Sequence, residues 1–236
     1  MKKSCLLAIA LVLVSFLSAQ IPQRDLKKCA QVRIETNYGS MVVALYNETP
    51  QHRDNFLKLV REGFYDNVLF HRIIKDFMVQ AGDPNSKDST YTGMLGMGDI
   101  GYKVPAEINF PELYHRRGAL CAARQSDMVN PERASSGCQF YIVQGKILSD
   151  QELTMMEQRL RVALEKPDFH YTDEQRLFYK TFGGTPHLDG AYTVFGELIK
   201  GFDVLDKLNA VKTGANDRPE EPVRIISMSI IKNFKK

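Results

Sequence analysis

The chain has 236 residues, of which 44% are hydrophobic and 25% are charged, so it is long enough to bury one sizeable core. We therefore expect one domain with an elaboration rather than two domains. The 31 basic residues nearly balance the 28 acidic ones, which gives no electrostatic reason to expect a nucleic-acid partner. The few His and Cys residues show no metal-type spacing.

The first twenty residues have the three parts of a secretory signal: Lys2 and Lys3, an apolar run from Cys5 to Leu17, and the small or polar Ser18-Ala19-Gln20. We predict a signal peptide over residues 1–20 and export to the periplasm or the medium. An uncleaved anchor is the alternative, but the apolar run is short for a bilayer, and no membrane span is expected after processing.

The segments Val32 to Thr36 and Met41 to Tyr46 alternate and are joined by a turn, as in a β-hairpin. Thr49-Pro50 then starts a predicted helix that ends near Gly63. Further strands are predicted in the order in which they occur: two within Phe70 to Asp83, then Gly118 to Ala123, Gln139 to Val143, Thr193 to Leu198 and Val223 to Ile231. A short helix, Phe202 to Leu208, precedes the last of these. Many strands with few helices indicate an antiparallel barrel.

Residues 146–182 have a different pattern. Ser149 and Glu152 form a capping box, and apolar residues follow at helical spacing. Thr172 and Gln175 start a second predicted helix. We interpret this segment as a helical insertion whose apolar stripe packs against the barrel, with docking of a protein partner as the alternative.

Three motifs then suggest a family: FHRIIKDFMVQAGD (70–83), SSGCQFYIV (135–143) and TPHLDGAYTVFGEL (185–198). Together, and in this order, they resemble the cyclophilin-type peptidyl-prolyl cis-trans isomerases. The resemblance implies a closed eight-stranded antiparallel barrel capped by two helices, formed by a domain over residues 30–236, with a substrate groove on its outer surface. It implies an isomerase that acts on proline-containing polypeptides and requires no metal or cofactor.

The resemblance also implies site residues. Arg72 would donate a hydrogen bond to the prolyl nitrogen, and Gln80 would orient Arg72 and bind the substrate backbone. Alternation along the strands would place Phe70, Arg72 and Ile74 on one face. The other residues implied to bind substrate are Phe77, Met78, Ala123, Arg124, Phe140, His187, Leu188 and Tyr192, with Ala123 and Arg124 acting through their backbone.

The sequence departs from the family pattern at the groove rim. His187 stands where many cyclophilins have tryptophan, Tyr192 where many have histidine, and Arg124 where many have asparagine. The first two changes affect ligand preference more than the reaction, and the first implies weak binding of cyclosporin, the cyclic peptide that binds many cyclophilins.

Two alternatives stay open. The same groove could serve a non-catalytic module or chaperone that holds proline-containing segments, although the presence of Arg72 and Gln80 favours the enzyme. Cys121 and Cys138 lie on strands that the resemblance makes neighbours, so they could form a disulfide in an oxidising compartment or remain two buried thiols.

Overall fold

A computed structural model describes residues 26–234, so the predicted signal peptide lies outside the described residues. Within this part of the chain, no helix is both long and apolar enough to cross a membrane.

The domain is built on one eight-stranded antiparallel sheet, and a two-stranded sheet lies apart from it. The bounds of the strands are β1 Ala30–Thr36, β2 Gly39–Leu45, β3 Phe70–Ile74, β4 Met78–Ala81, β5 Lys103–Val104, β6 Ala119–Ala122, β7 Ser135–Ser136, β8 Phe140–Val143, β9 Val194–Lys200 and β10 Ile225–Lys232. The strand order in the large sheet is β10-β1-β2-β9-β6-β8-β4-β3, and β5 and β7 form the small one.

The sheet curls into a half-barrel but stays open, so the prediction of a closed barrel is wrong. The edge strand β3 forms a ladder only with β4, and the other edge strand β10 forms one only with β1. The two edges meet at a single isolated bridge between Leu69 and Arg224, supported by backbone bonds such as Phe70 N to Val223 O at 2.8 Å. The bridged residues directly precede β3 and β10, and the two strands themselves form no ladder with each other.

Two helices cap the interior of the curled sheet, as predicted. Helix α1 (Pro50–Arg61) has proline in its first turn and ends just before Gly63, whose φ is +65°. Its buried stripe and that of α4 (Phe202–Asn209) join the main core, which also contains the inward side chains of the sheet.

The insertion contains the two predicted helices, α2 (Asp150–Ala163) and α3 (Asp173–Thr181). Both begin with complete capping boxes, in which the N-cap hydroxyl and the side chain three residues later exchange hydrogen bonds with the backbone. Their apolar residues pack with Phe110 and Tyr114 in a separate small core. The stripe on α2 is thus covered within the chain, but by α3 and the segment with Phe110 and Tyr114 rather than by the barrel strands to which it was predicted to pack.

Candidate active site

The outer face of the sheet carries a shallow cavity of about 200 Å³. Eight of the ten predicted site residues line it, together with one that was not predicted. The lining residues are Arg72, Phe77, Met78, Gln80, Ala123, Arg124, Tyr141, Leu188 and Tyr192.

Strand register explains why these side chains meet. Arg72 on β3 is paired with Gln80 on β4, and Gln80 is paired with Tyr141 on β8. Directly paired residues project their side chains to the same face of a sheet, so the guanidinium, amide and phenol groups form a row across three strands. The predicted placement of Phe70 on this face is wrong, because a register shift between Phe70 and Arg72 turns Phe70 into the main core.

Phe140 does not line the groove, which corrects its predicted role. Its side chain is 1% exposed in the main core, with ring centroids 5.4 Å from Phe56 and 5.5 Å from Tyr65. Because side chains alternate along a strand, the neighbouring Tyr141 faces outward and forms the floor of the pocket. The motif SSGCQFYIV contained this residue, but its two adjacent aromatics did not show which one faced the groove.

The hydrogen bonds around Arg72 differ from the predicted ones. Its Nε donates to Asp217 Oδ2 at 3.2 Å, and the side chain remains 43% exposed. Gln80 instead donates from Nε2 to Gln139 Oε1 at 3.0 Å, and Gln139 Nε2 donates to the carbonyls of Gly96 and Gly98. Asp217 therefore orients Arg72, whereas Gln80 is fixed to the loop that contains Gly96.

The sequence analysis predicted neither of these hydrogen-bond partners, Asp217 for Arg72 and Gln139 for Gln80. Gln139 belongs to a quoted motif and could have been found from its polar side chain next to buried residues. Asp217 lies in a short 3-10 helix (Ala215–Asp217), 145 residues away from Arg72 in the chain, and no local pattern marks it.

Tyr192 and His187 were both predicted at the rim of the groove, but only Tyr192 lines the pocket. Tyr192 packs under the Arg124 guanidinium, 4.3 Å from its ring centroid, and Arg124 Nε donates to the Ala191 carbonyl at 2.9 Å. The Arg124 side chain is therefore held in place at the rim by contacts within the domain. His187 is exposed and does not line the cavity itself, although its ring centroid is 5.2 Å from that of Phe77. Partial desolvation lowers the pKa of His187 below its ordinary value.

Only part of the backbone near the pocket is free to form hydrogen bonds with a bound peptide. The backbone around Ala123 and Arg124 was predicted to pair with the peptide, but Ala123 N donates to Gln139 O and Ala123 O accepts from Ser136 N, so the Ala123 groups are already bonded within the domain. Within residues 26–234, Arg124 forms no backbone–backbone hydrogen bond, so its N–H and C=O can meet a bound peptide.

Cys121 and Cys138 are both free thiols, so the possible disulfide between them is not formed. Cys121 packs in the cluster beneath the groove and Cys138 in the main core, on the opposite face of the sheet. Burial raises the pKa of the Cys138 thiol to about 11 and raises that of Cys121 well above its usual value. Both behave as small buried side chains.

A curled antiparallel sheet with an arginine and a glutamine beside a small pocket of mixed polar and apolar lining defines a class of domain with a shallow groove on the outer face of its sheet. Residues 31–230 match the family model for the cyclophilin type peptidyl-prolyl cis-trans isomerases. The chain therefore belongs to the cyclophilin family of peptidyl-prolyl cis-trans isomerases, as the sequence motifs indicated.

Individual relatives agree. The Arabidopsis thaliana isomerase CYP18-2 is 33% identical over 202 residues, which are 85% of this chain and 93% of that protein. A Streptococcus pyogenes protein named as a bifunctional phosphatase/peptidyl-prolyl cis-trans isomerase is 38% identical over 89% of this chain, which spans only 41% of that relative. A Cryptosporidium parvum cyclophilin-type isomerase matches with a TM-score of 0.62 and 28% identity over 87% of this chain and 99% of its own, and its structure has also been determined in the presence of the dipeptide Ala-Pro.

Proposed function

We propose that this isomerase accelerates cis/trans exchange of X-Pro bonds in exported polypeptides as they fold, with Arg72 as the catalytic group. The observation that carries the assignment of Arg72 is its position: it is the charged donor in the row Arg72, Gln80 and Tyr141, at the edge of a pocket large enough for a proline ring.

The chemistry requires a donor but no nucleophile. Rotation about an X-Pro bond must break amide resonance, against a barrier of roughly 18–20 kcal/mol. As the bond twists, the prolyl nitrogen becomes pyramidal and gains a lone pair. A guanidinium N–H directed at this nitrogen stabilises the twisted state more than either planar state, which is the condition for catalysis by differential binding.

The pocket holds the proline ring during this rotation. Phe77, Met78 and Leu188 supply apolar walls, and the Tyr141 ring supplies the floor. Asp217 presents the guanidinium towards the groove by binding its Nε, which leaves the terminal nitrogens for the substrate. The backbone of Arg124 pairs with the peptide next to the proline.

Export of the protein is proposed from the leader-like residues 1–20. Slow X-Pro steps take tens to hundreds of seconds, long enough to limit folding of newly exported chains. Fractionation of the producing cells and N-terminal sequencing of the product would test this part independently of catalysis.

The decisive experiment compares the parent chain with Arg72→Ala in a cis/trans assay on a short X-Pro peptide. We expect the variant to lose about 100-fold in kcat/KM with an unchanged circular dichroism spectrum, because Arg72 lies on the surface of the sheet. The matched control is Arg33→Ala, another exposed strand arginine with a carboxylate partner, Glu35. Full activity in the Arg72 variant contradicts the mechanism, and peptide binding without acceleration by the parent chain favours the non-catalytic module.

A further inference from the structure

The pocket floor is connected to the helical insertion by a chain of buried polar side chains. Every member is at most 5% exposed. The members, in order from the pocket, are Tyr141, His115, Asp189, and the insertion residues Tyr171 and Tyr179.

The hydrogen bonds of this chain have a defined direction. Asp189 Oδ1 accepts from the backbone N–H of His115 at 2.7 Å and lies 2.9 Å from His115 Nδ1. Nδ1 therefore carries a proton, and in the neutral ring Nε2 accepts from the Tyr141 hydroxyl at 3.1 Å. Burial raises the pKa of Tyr141 well above its usual value, so the hydroxyl remains protonated and can donate.

The second carboxylate oxygen is held by the insertion. Tyr171 donates its hydroxyl proton to Asp189 Oδ2 at 2.6 Å, and Tyr179 does so at 2.7 Å. Tyr171 lies just before helix α3 and Tyr179 lies within it. Asp189 directly follows Leu188 in the groove wall, so the insertion reaches both the wall and the floor of the pocket through one carboxylate.

We propose that Tyr171 and Tyr179 are positioning residues for the isomerase reaction, holding the Tyr141 ring in place through Asp189 and His115. This inference rests on the proposed role of the groove in binding proline. It assigns the insertion a part in substrate binding, although neither tyrosine lines the cavity.

The physical reason is that a buried carboxylate must have its hydrogen bonds satisfied. Removing both tyrosine hydroxyls leaves Oδ2 without these donors, so the Asp189 carboxylate rotates towards other donors or water, and its hydrogen bonds to His115 weaken. His115 then no longer fixes the Tyr141 hydroxyl, and the ring that contacts proline gains freedom. The ring holds the substrate in its planar and twisted states alike, so the loss falls on KM rather than on kcat.

The first experiment measures kcat and KM by NMR line-shape analysis for Tyr171→Phe, Tyr179→Phe and the double variant. Phenylalanine keeps the ring packing and removes only the hydroxyl. We expect KM of the double variant to rise on the order of fivefold, with smaller rises in the single variants and little change in kcat. The matched control is Tyr65→Phe, which removes another buried tyrosine hydrogen bond, to the Cys138 carbonyl at 3.2 Å, outside the network.

A purely structural role for the two tyrosines predicts a different result. The substitutions at Tyr171, Tyr179 and Tyr65 would then all lower the melting temperature. At 15 °C, where the variants stay folded, the KM of each variant would equal that of the parent. That outcome overturns the inference. Titration with the dipeptide Ala-Pro compares the affinities of the same variants without requiring turnover. If the parent chain were inactive, this would contradict the proposed function, and the titration would still test the role of the two tyrosines.

The second experiment tests coupling. Tyr141→Phe keeps the pocket ring but cuts the network at its end, so it should raise KM by itself. In that background, adding Tyr171→Phe and Tyr179→Phe should change KM no further, as expected for residues that act as one unit. If the increases in KM caused by Tyr141→Phe and by the two other substitutions multiplied instead, the inference would be contradicted. Flip rates of the Tyr141 ring, measured by NMR, should increase in the Tyr171/Tyr179 double variant and stay unchanged in Tyr65→Phe.

Discussion

Phe140 and Tyr141 are adjacent aromatic residues with separate roles, because they face opposite sides of strand β8. We expect Phe140→Leu to lower the free energy of unfolding by about 1 kcal/mol and to leave kcat/KM unchanged. Tyr141→Leu should instead lower kcat/KM about tenfold, because the flat ring that contacts proline is lost. Urea titration and the peptide assay measure the two quantities, and the reverse pattern would show that the faces are assigned wrongly.

We expect His187 to control ligand preference at the rim. An imidazole supplies less apolar area and a less suitable donor to cyclosporin than the tryptophan of many cyclophilins. At roughly 25 cal/mol per Å² of buried apolar area plus one hydrogen bond, the loss is on the order of 2–3 kcal/mol, or about 30- to 150-fold in affinity. We expect weak cyclosporin inhibition that improves in His187→Trp, with peptide turnover little changed. Tight inhibition of the parent chain would refute this role of His187.

At the scale of elements, the insertion is joined to the domain by a narrow base. Lys146 bridges to Gly184, so the two ends of residues 146–182 lie side by side and a short Gly/Ser link can replace them. From the sequence alone, we expect such a link to lower thermal stability but to spare turnover of small peptides, because the predicted substrate contacts lie in the groove. The buried tyrosine network changes this expectation.

Replacement of the insertion should therefore have two effects. It uncovers Phe110 and Tyr114 and removes two donors to Asp189, so we expect the melting temperature to fall by about 5 °C or more. It should also raise KM at least as much as the Tyr171/Tyr179 double variant. Differential scanning calorimetry and the peptide assay measure both, and an unchanged melting temperature would mean that the insertion does not stabilise the domain.

At the scale of the whole molecule, we expect His71 to make the folded state sensitive to acid. Its ring is 4% exposed, and neither ring nitrogen has a hydrogen-bond partner among the described residues. Burial is the main cause that lowers the pKa of His71 from 6.5 to about 4; the Asp83 carboxylate opposes this shift, and Arg72 and Arg218 add to it.

The sign of the effect follows from proton uptake. Between about pH 6.5 and 4 the unfolded chain protonates His71 and the folded chain does not, so acidification favours unfolding in that window, by up to about 3 kcal/mol. We expect urea unfolding at pH 7, 5.5 and 4.5 to show this decline in the parent and a shallower one in His71→Gln. His170→Gln, at an exposed histidine, is the control. If the free energy of unfolding declined equally with pH in the parent and in His71→Gln, this would contradict the lowered pKa of His71.

The sequence by itself determined much of this protein. Alternating strands, the Thr49-Pro50 helix start and both capping boxes of the insertion are local patterns, and each corresponds to an observed element. The three family motifs identified Arg72 and most of the pocket, because those residues come from short segments whose spacing is fixed along the chain.

The tertiary structure alone decided how those segments meet. Whether the sheet closes depends on the edge strands β3 and β10, which are about 150 residues apart and touch at one bridge. A register shift after Phe70 decided which side chains of β3 face outward. The same holds for two sets of hydrogen bonds between distant segments. One joins Asp217 to Arg72, and the other connects Tyr171 and Tyr179 to Tyr141. Such contacts depend on the packing of the whole chain, and no local periodicity records them.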